Sequence, residues 1–139
     1  MFRFPLQAVL DARSRAEDAA RGAAESSRLA AELQRRRFAG LRAHRSAVIA
    51  RLRAGDAAPA DHLQRIDAAL RAAVETLDRL SADADRADRA WRHALRDRRV
   101  IERFRDRDRA RFVADRERAE AAETEDANAR VRYAPLMRR

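Results

Sequence analysis

A chain of 139 residues, 40% of them charged and with only three glycines and three prolines, has room for one domain at most and favours long solvated helices over a compact globule. Its net charge is +9 and all 32 basic residues are arginine, so acidic partners or polyanions are attracted to it. With no cysteine, disulfides and thiolate metal sites are excluded; with no lysine, so is a Gly-x-x-x-x-Gly-Lys-Ser/Thr phosphate loop.

The opening Met1-Phe2-Arg3-Phe4-Pro5-Leu6 lacks the apolar run of a signal peptide. No stretch reaches the roughly 20 apolar residues of a spanning helix, so the expected address is cytoplasmic. A first helix is predicted over about residues 5–53. Its 3-4 step runs Leu6, Leu10, Arg13, Glu17, Ala20, Ala24, Ser27, Ala31, Gln34, Phe38, Leu41, Arg45, Val48 and Leu52. The stripe is strong at both ends and weak between Arg13 and Gln34. Gly22 and Gly40 each cost a helix about 1 kcal/mol relative to alanine. The middle of this helix is therefore expected to bend or fray.

Ala54-Gly55-Asp56-Ala57-Ala58-Pro59-Ala60 is the interior punctuation, read as a hairpin loop over about 54–60. Gly55 suits the C′ position after a helix and Pro59 the first turn of the next. A second helix is predicted over about 61–132. Its step runs unbroken from Leu63 through Ile66, Leu70, Ala73, Leu77, Leu80, Ala84, Ala87, Trp91, Ala94, Arg98, Ile101, Arg105 and Asp108 to Phe112, and on to Tyr133. An average repeat of 3.5 residues keeps one stripe facing a partner helix. Trp91 on that stripe reads as seam rather than recognition.

A short loop makes the two helices antiparallel neighbours, with Leu52 near Leu63, Val48 near Ile66 or Leu70, and Leu41 near Leu77. The predicted fold is all-α: a long antiparallel two-helix coiled-coil hairpin, its second helix longer than its first. At 1.5 Å per residue the helices span about 70 and 105 Å. Past about Arg109 the second helix has no partner within the chain, yet Phe112, Val113 and Tyr133 lie there. Unpaired apolar residues on a helix suggest a docking surface for another protein; the plain alternative is a frayed end. Val100, Ile101 and Phe104 cannot all face one seam, so part of that patch is expected at the surface.

Charge is uneven. Residues 35–53 hold seven arginines and no acid, and residues 115–126 hold six acids and two arginines. Between them, like charges recur at i,i+4 (Arg92 and Arg96, Glu102 and Asp106), a spacing at which they repel. His44, His62 and His93 are scattered, and although His44 and His62 both lie near the hairpin end, all three read as lone surface histidines. The serines lack a nucleophile-elbow context, and no enclosure is in prospect to shift the many carboxylates into an acid–base range. The chain is therefore read as no enzyme, with no cofactor and no metal.

The opening Phe2-x-Phe4-x-Leu6-Gln7-x-Val9-Leu10-x-x-Arg13-x-x-x-Glu17-x-Ala19 closely resembles the N-terminal signature of the flagellar FliJ-type export proteins. Arg99-Val100-x-Glu102-Arg103-Phe104 resembles the family's second patch. Glu117, Glu120, Glu125, Asp126, Ala127 and Arg130 are similar to its acidic closing helix. The likeness spans nearly the whole chain, but its specific part is the first 19 residues. The resemblance implies a cytoplasmic part of the flagellar type III export apparatus, peripheral to the basal body at the inner membrane. It implies a stalk-like coiled coil that binds the hexameric export ATPase, promotes its assembly and activity, links it to the membrane export gate, and escorts export chaperones. On that basis Phe2, Phe4, Leu6, Val9, Leu10, Arg13 and Phe112 would meet the ATPase. Arg51, Arg53 and Leu63 beside His62, together with Val100, Glu102, Arg103 and Phe104, would meet other partners. Pro5 stands where many relatives have a basic or polar residue, which sets the expected helix start.

Three other readings stand beside it. An injectisome stalk protein would share the architecture. A nucleic-acid-binding helix pair is motivated by the calculated pI near 11.4 and the arginine block, though aromatics do not alternate with the arginines and no helix-turn-helix or zipper layout appears. A scaffold or homodimer could pair through Phe112 and Tyr133.

Overall fold

The computed structural model of the protein describes residues 1–57 and 60–133, and the side chains of all of these except 60 and 131–133. The fold is all-α. Helix α1 spans Gln7–Arg53 and α2 spans Ala60–Tyr133, 47 and 74 residues long. No helix among the described residues is long and apolar enough to cross a membrane. The chain divides into two compact units, Arg15–Arg96 and Met1–Ser14 with the residues from Asp97 onward.

Within Arg15–Arg96 the helices run antiparallel. Arg45 meets Asp67 at 2.6 Å, the Gln34 Nε2 donates to the Ala73 carbonyl at 3.2 Å, and Arg28 meets Asp88 at 2.7 Å, so partners on α2 rise as those on α1 descend. Val48 and Ile66 are buried, and Leu63, Leu70, Leu77, Leu80 and Trp91 are half-buried. Arg28 also lies 5.6 Å over the Trp91 ring. Leu41 shares a groove wall with Ala69, Ala72, Ala73 and Thr76, just short of Leu77.

The expected weak middle of α1 is its best-buried stretch. Ala24 is 0% and Ala31 1% exposed, Glu17 is buried, and α1 is continuous through Gly22 and Gly40, both at the surface. A methyl side chain buries little area itself, but it lets a facing helix come close enough to exclude water. A hydropathy pattern scores alanine as weak; packing does not.

The hairpin end is set by Gly55, with φ of 91°. The Asp56 N–H donates to the Arg51 carbonyl and the Gly55 N–H to the Leu52 carbonyl, both at 3.1 Å. This 6→1 and 5→2 pair is a Schellman cap with Gly55 at C′, as its sequence position predicts. The Arg51 Nε also meets the Asp56 carboxylate at 3.1 Å. The reading of Pro59 as first-turn residue lies outside the described residues.

In the second unit, α1 begins at Gln7 rather than at Pro5. Proline fixes φ for a tight turn, which the Gln7 N–H closes on the Phe4 carbonyl at 3.2 Å; the helical ladder then starts with Leu10 N–H to Leu6 carbonyl at 2.9 Å. Arg13 pairs with Asp97 at 2.9 Å, and the Phe2 and Phe112 rings lie 5.7 Å apart. Arg98, Ile101, Arg105 and Asp108 on the α2 stripe are half-buried; every residue from Arg109 to Arg130 is exposed. The like-charged Glu102 and Asp106 each meet an arginine of α2, Arg98 and Arg105.

Candidate functional site

The terminal residues singled out in the sequence separate into two sets. Leu10 is 4% exposed and Phe4 is buried, so both hold the unit together. Leu6, just ahead of α1, and Val9, in its first turn, are 42% and 40% exposed, with Arg13 one turn beyond Val9. Phe2 is half-buried against Phe112 and lines a groove with Phe4, Gln7, Arg105 and Arg109. The free apolar surface here is therefore Leu6, Val9 and the outer edge of Phe112.

The second patch divides between surface and seam. Val100 and Phe104, one turn apart, are exposed, while Ile101 turns toward the seam. The Arg107 guanidinium stacks on the Phe104 ring at 5.0 Å and leaves Val100 open. Arg103 is exposed, and Glu102 is half-buried in its pair with Arg98. Tyr133, read from the sequence as an apolar docking residue, has its side chain outside the described residues.

At the hairpin end Arg51 is tied to Asp56, Arg53 is exposed and Leu63 is half-buried. His44 and His62, scattered in sequence, meet there edge-on with ring centroids 5.6 Å apart. Nothing in either helix pattern joins them; only the hairpin register does. Among the described residues no group of three metal-ligating side chains forms.

Sequence reasoning also missed a groove of about 590 Å³ between the helices, with Phe38, Leu70 and Val74 on its surface and Arg42, Arg45 and Arg71 around it. Phe38 and Leu70 were visible as stripe residues. Val74 carried no signal, because it lies one position off the stripe.

Of the seven arginines in residues 35–53, four meet carboxylates: Arg35 and Arg36 reach Glu32, Arg45 reaches Asp67 and Arg51 reaches Asp56. The block is acid-free in sequence; in space three carboxylates answer four of its seven arginines, and Arg37, Arg42 and Arg53 make no ion pair among the described residues.

No protein-family model and no curated protein matches this chain. A solved structure of a proposed YscO homolog, CT670 from Chlamydia trachomatis, is similar to it, with 19% identity and a TM-score of 0.39 over 99% of this chain and 93% of that one. Likeness at that level carries no functional argument.

Proposed function

We propose that this chain is a stalk-like component of the flagellar type III export apparatus, binding the export ATPase through the exposed face of its first helical turns. The observation that carries the reading is the exposure of Leu6 and Val9 inside the segment that resembles the FliJ-type signature. Apolar side chains held at the surface of a helix whose buried stripe is already filled are available to a second protein. The role is structural and regulatory, with no catalysis and no cofactor. Val100 and Phe104 form a second contact, open to the export gate or to export chaperones. The place of action is the cytoplasmic side of the inner membrane at the basal body. An injectisome stalk would use the same surface.

Aromatic side chains do not alternate with the arginines of residues 35–53, which weighs against a base-stacking nucleic-acid surface there.

The test is the hydrolysis rate of the cognate flagellar export ATPase with and without this chain at about 0.15 M salt, where surface charge is largely screened. Leu6→Asp/Val9→Asp is the informative variant, because both residues are exposed and the helix pair stays intact. Stimulation by the wild type that the variant loses, at unchanged helicity, supports the reading. Equal stimulation by both chains moves the contact elsewhere; none from either removes the ATPase from the proposal.

A further inference from the structure

We infer that the groove between Phe38 on α1 and Leu70 and Val74 on α2 is a docking site for an acidic amphipathic helix of another protein. Three observations meet there. The first is an apolar surface that the seam does not use: Val74 is 41% exposed, one position off the α2 stripe, beside half-buried Phe38 and Leu70. The second is its size. About 590 Å³ takes one or two large side chains from a partner.

The third is charge. Arg42, Arg45 and Arg71 surround the groove against one carboxylate, Glu75. Arg45 is committed to Asp67 at 2.6 Å. Arg42 stacks over Phe38 at 5.9 Å and makes no ion pair among the described residues, and neither does Arg71. A guanidinium on each helix, flanking a strip of exposed hydrocarbon, matches a helix with leucine or phenylalanine along one face and carboxylates beside them. A basic partner would meet like charge, and a purely apolar one would leave both arginines unanswered. The site owes nothing to the ATPase reading and stands or falls apart from it. Its small area places the contact among weak, transient interactions.

A displayed library of random 16-residue peptides, selected on the full chain and counter-selected on Arg42→Glu/Arg71→Glu, tests this directly. Both substituted residues are exposed, so the variant keeps its fold, checked by circular dichroism and melting. The expected winners carry apolar residues at i, i+3 or i+4 spacing with Asp or Glu beside them. Fluorescence anisotropy with a winning peptide should show binding at least about tenfold weaker to the variant, and weaker again in high salt. Val74→Asp should also abolish it. Enrichment of basic or charge-neutral sequences, or no sequence distinguishing wild type from variant, overturns the inference. Sedimentation and single-stranded DNA binding on the same two proteins cover the other occupants. A groove-dependent dimer, or DNA binding that the double variant loses, would overturn it in favour of a second copy or a polyanion.

Discussion

Gly55 has one conformational task. At φ of 91° it occupies the left-handed region that a β-carbon resists, although the space around it is open. Gly55→Ala should therefore cost about 1 kcal/mol through backbone strain alone, read as a lower urea midpoint with an unchanged m-value. Ala24 has the opposite constraint, of space rather than backbone. It is fully buried, so Ala24→Leu forces the helices apart and should destabilise by about 1–3 kcal/mol, despite adding hydrophobic surface. A seam that was only loosely closed would gain stability from that leucine, so the sign of the change decides between the two pictures. Leu6 and Leu10 show the same contrast at the N-terminus: one residue type, four positions apart, one at the surface and one in the seam.

The helices are held by a thin line of apolar contacts and oriented by ion pairs. Arg13–Asp97, Arg28–Asp88 and Arg45–Asp67 each join an α1 arginine to an α2 aspartate. All are partly exposed, so each contributes at most about 1 kcal/mol and mainly fixes register. A double-mutant cycle on Arg45 and Asp67 should give a coupling of that size which shrinks in high salt. The apolar term is larger: Ile66→Ala, at a buried seam position, should cost about 2–3 kcal/mol in the same unfolding measurement.

Over the whole molecule, stability is distributed unevenly. The residues of Arg15–Arg96 pack as a helix pair and the Phe2 ring meets Phe112, whereas every residue from 113 to 130 of α2 is exposed. A helix without a packed face is marginal in water. Amide hydrogen exchange should therefore be slow along the seam of Arg15–Arg96 and fast across 113–130, approaching the unprotected rate. Uniform protection would mean that the exposed stretch has found a partner. The net charge of +9 belongs to this scale too: it speeds encounter with acidic partners without selecting one.

The sequence by itself determined the all-α class, the two helices, the longer second one, the Gly55 cap and the stripe that turns inward. These follow from local rules: a 3-4 repeat, a left-handed glycine and a scarcity of breakers act over a few residues and need no knowledge of the other helix. It also placed Ile101 on the stripe with Val100 and Phe104 off it, so that part of the patch was expected at the surface. Packing alone made Ala24 and Ala31 the most fully buried side chains of the seam, because burial depends on what the opposite helix presents. Only the tertiary structure brought the His44 and His62 rings edge to edge, matched Arg45 to Asp67, and opened the groove at Val74. Each of these is a relation between residues far apart along the chain, fixed by the interhelical register, which a one-dimensional pattern does not contain.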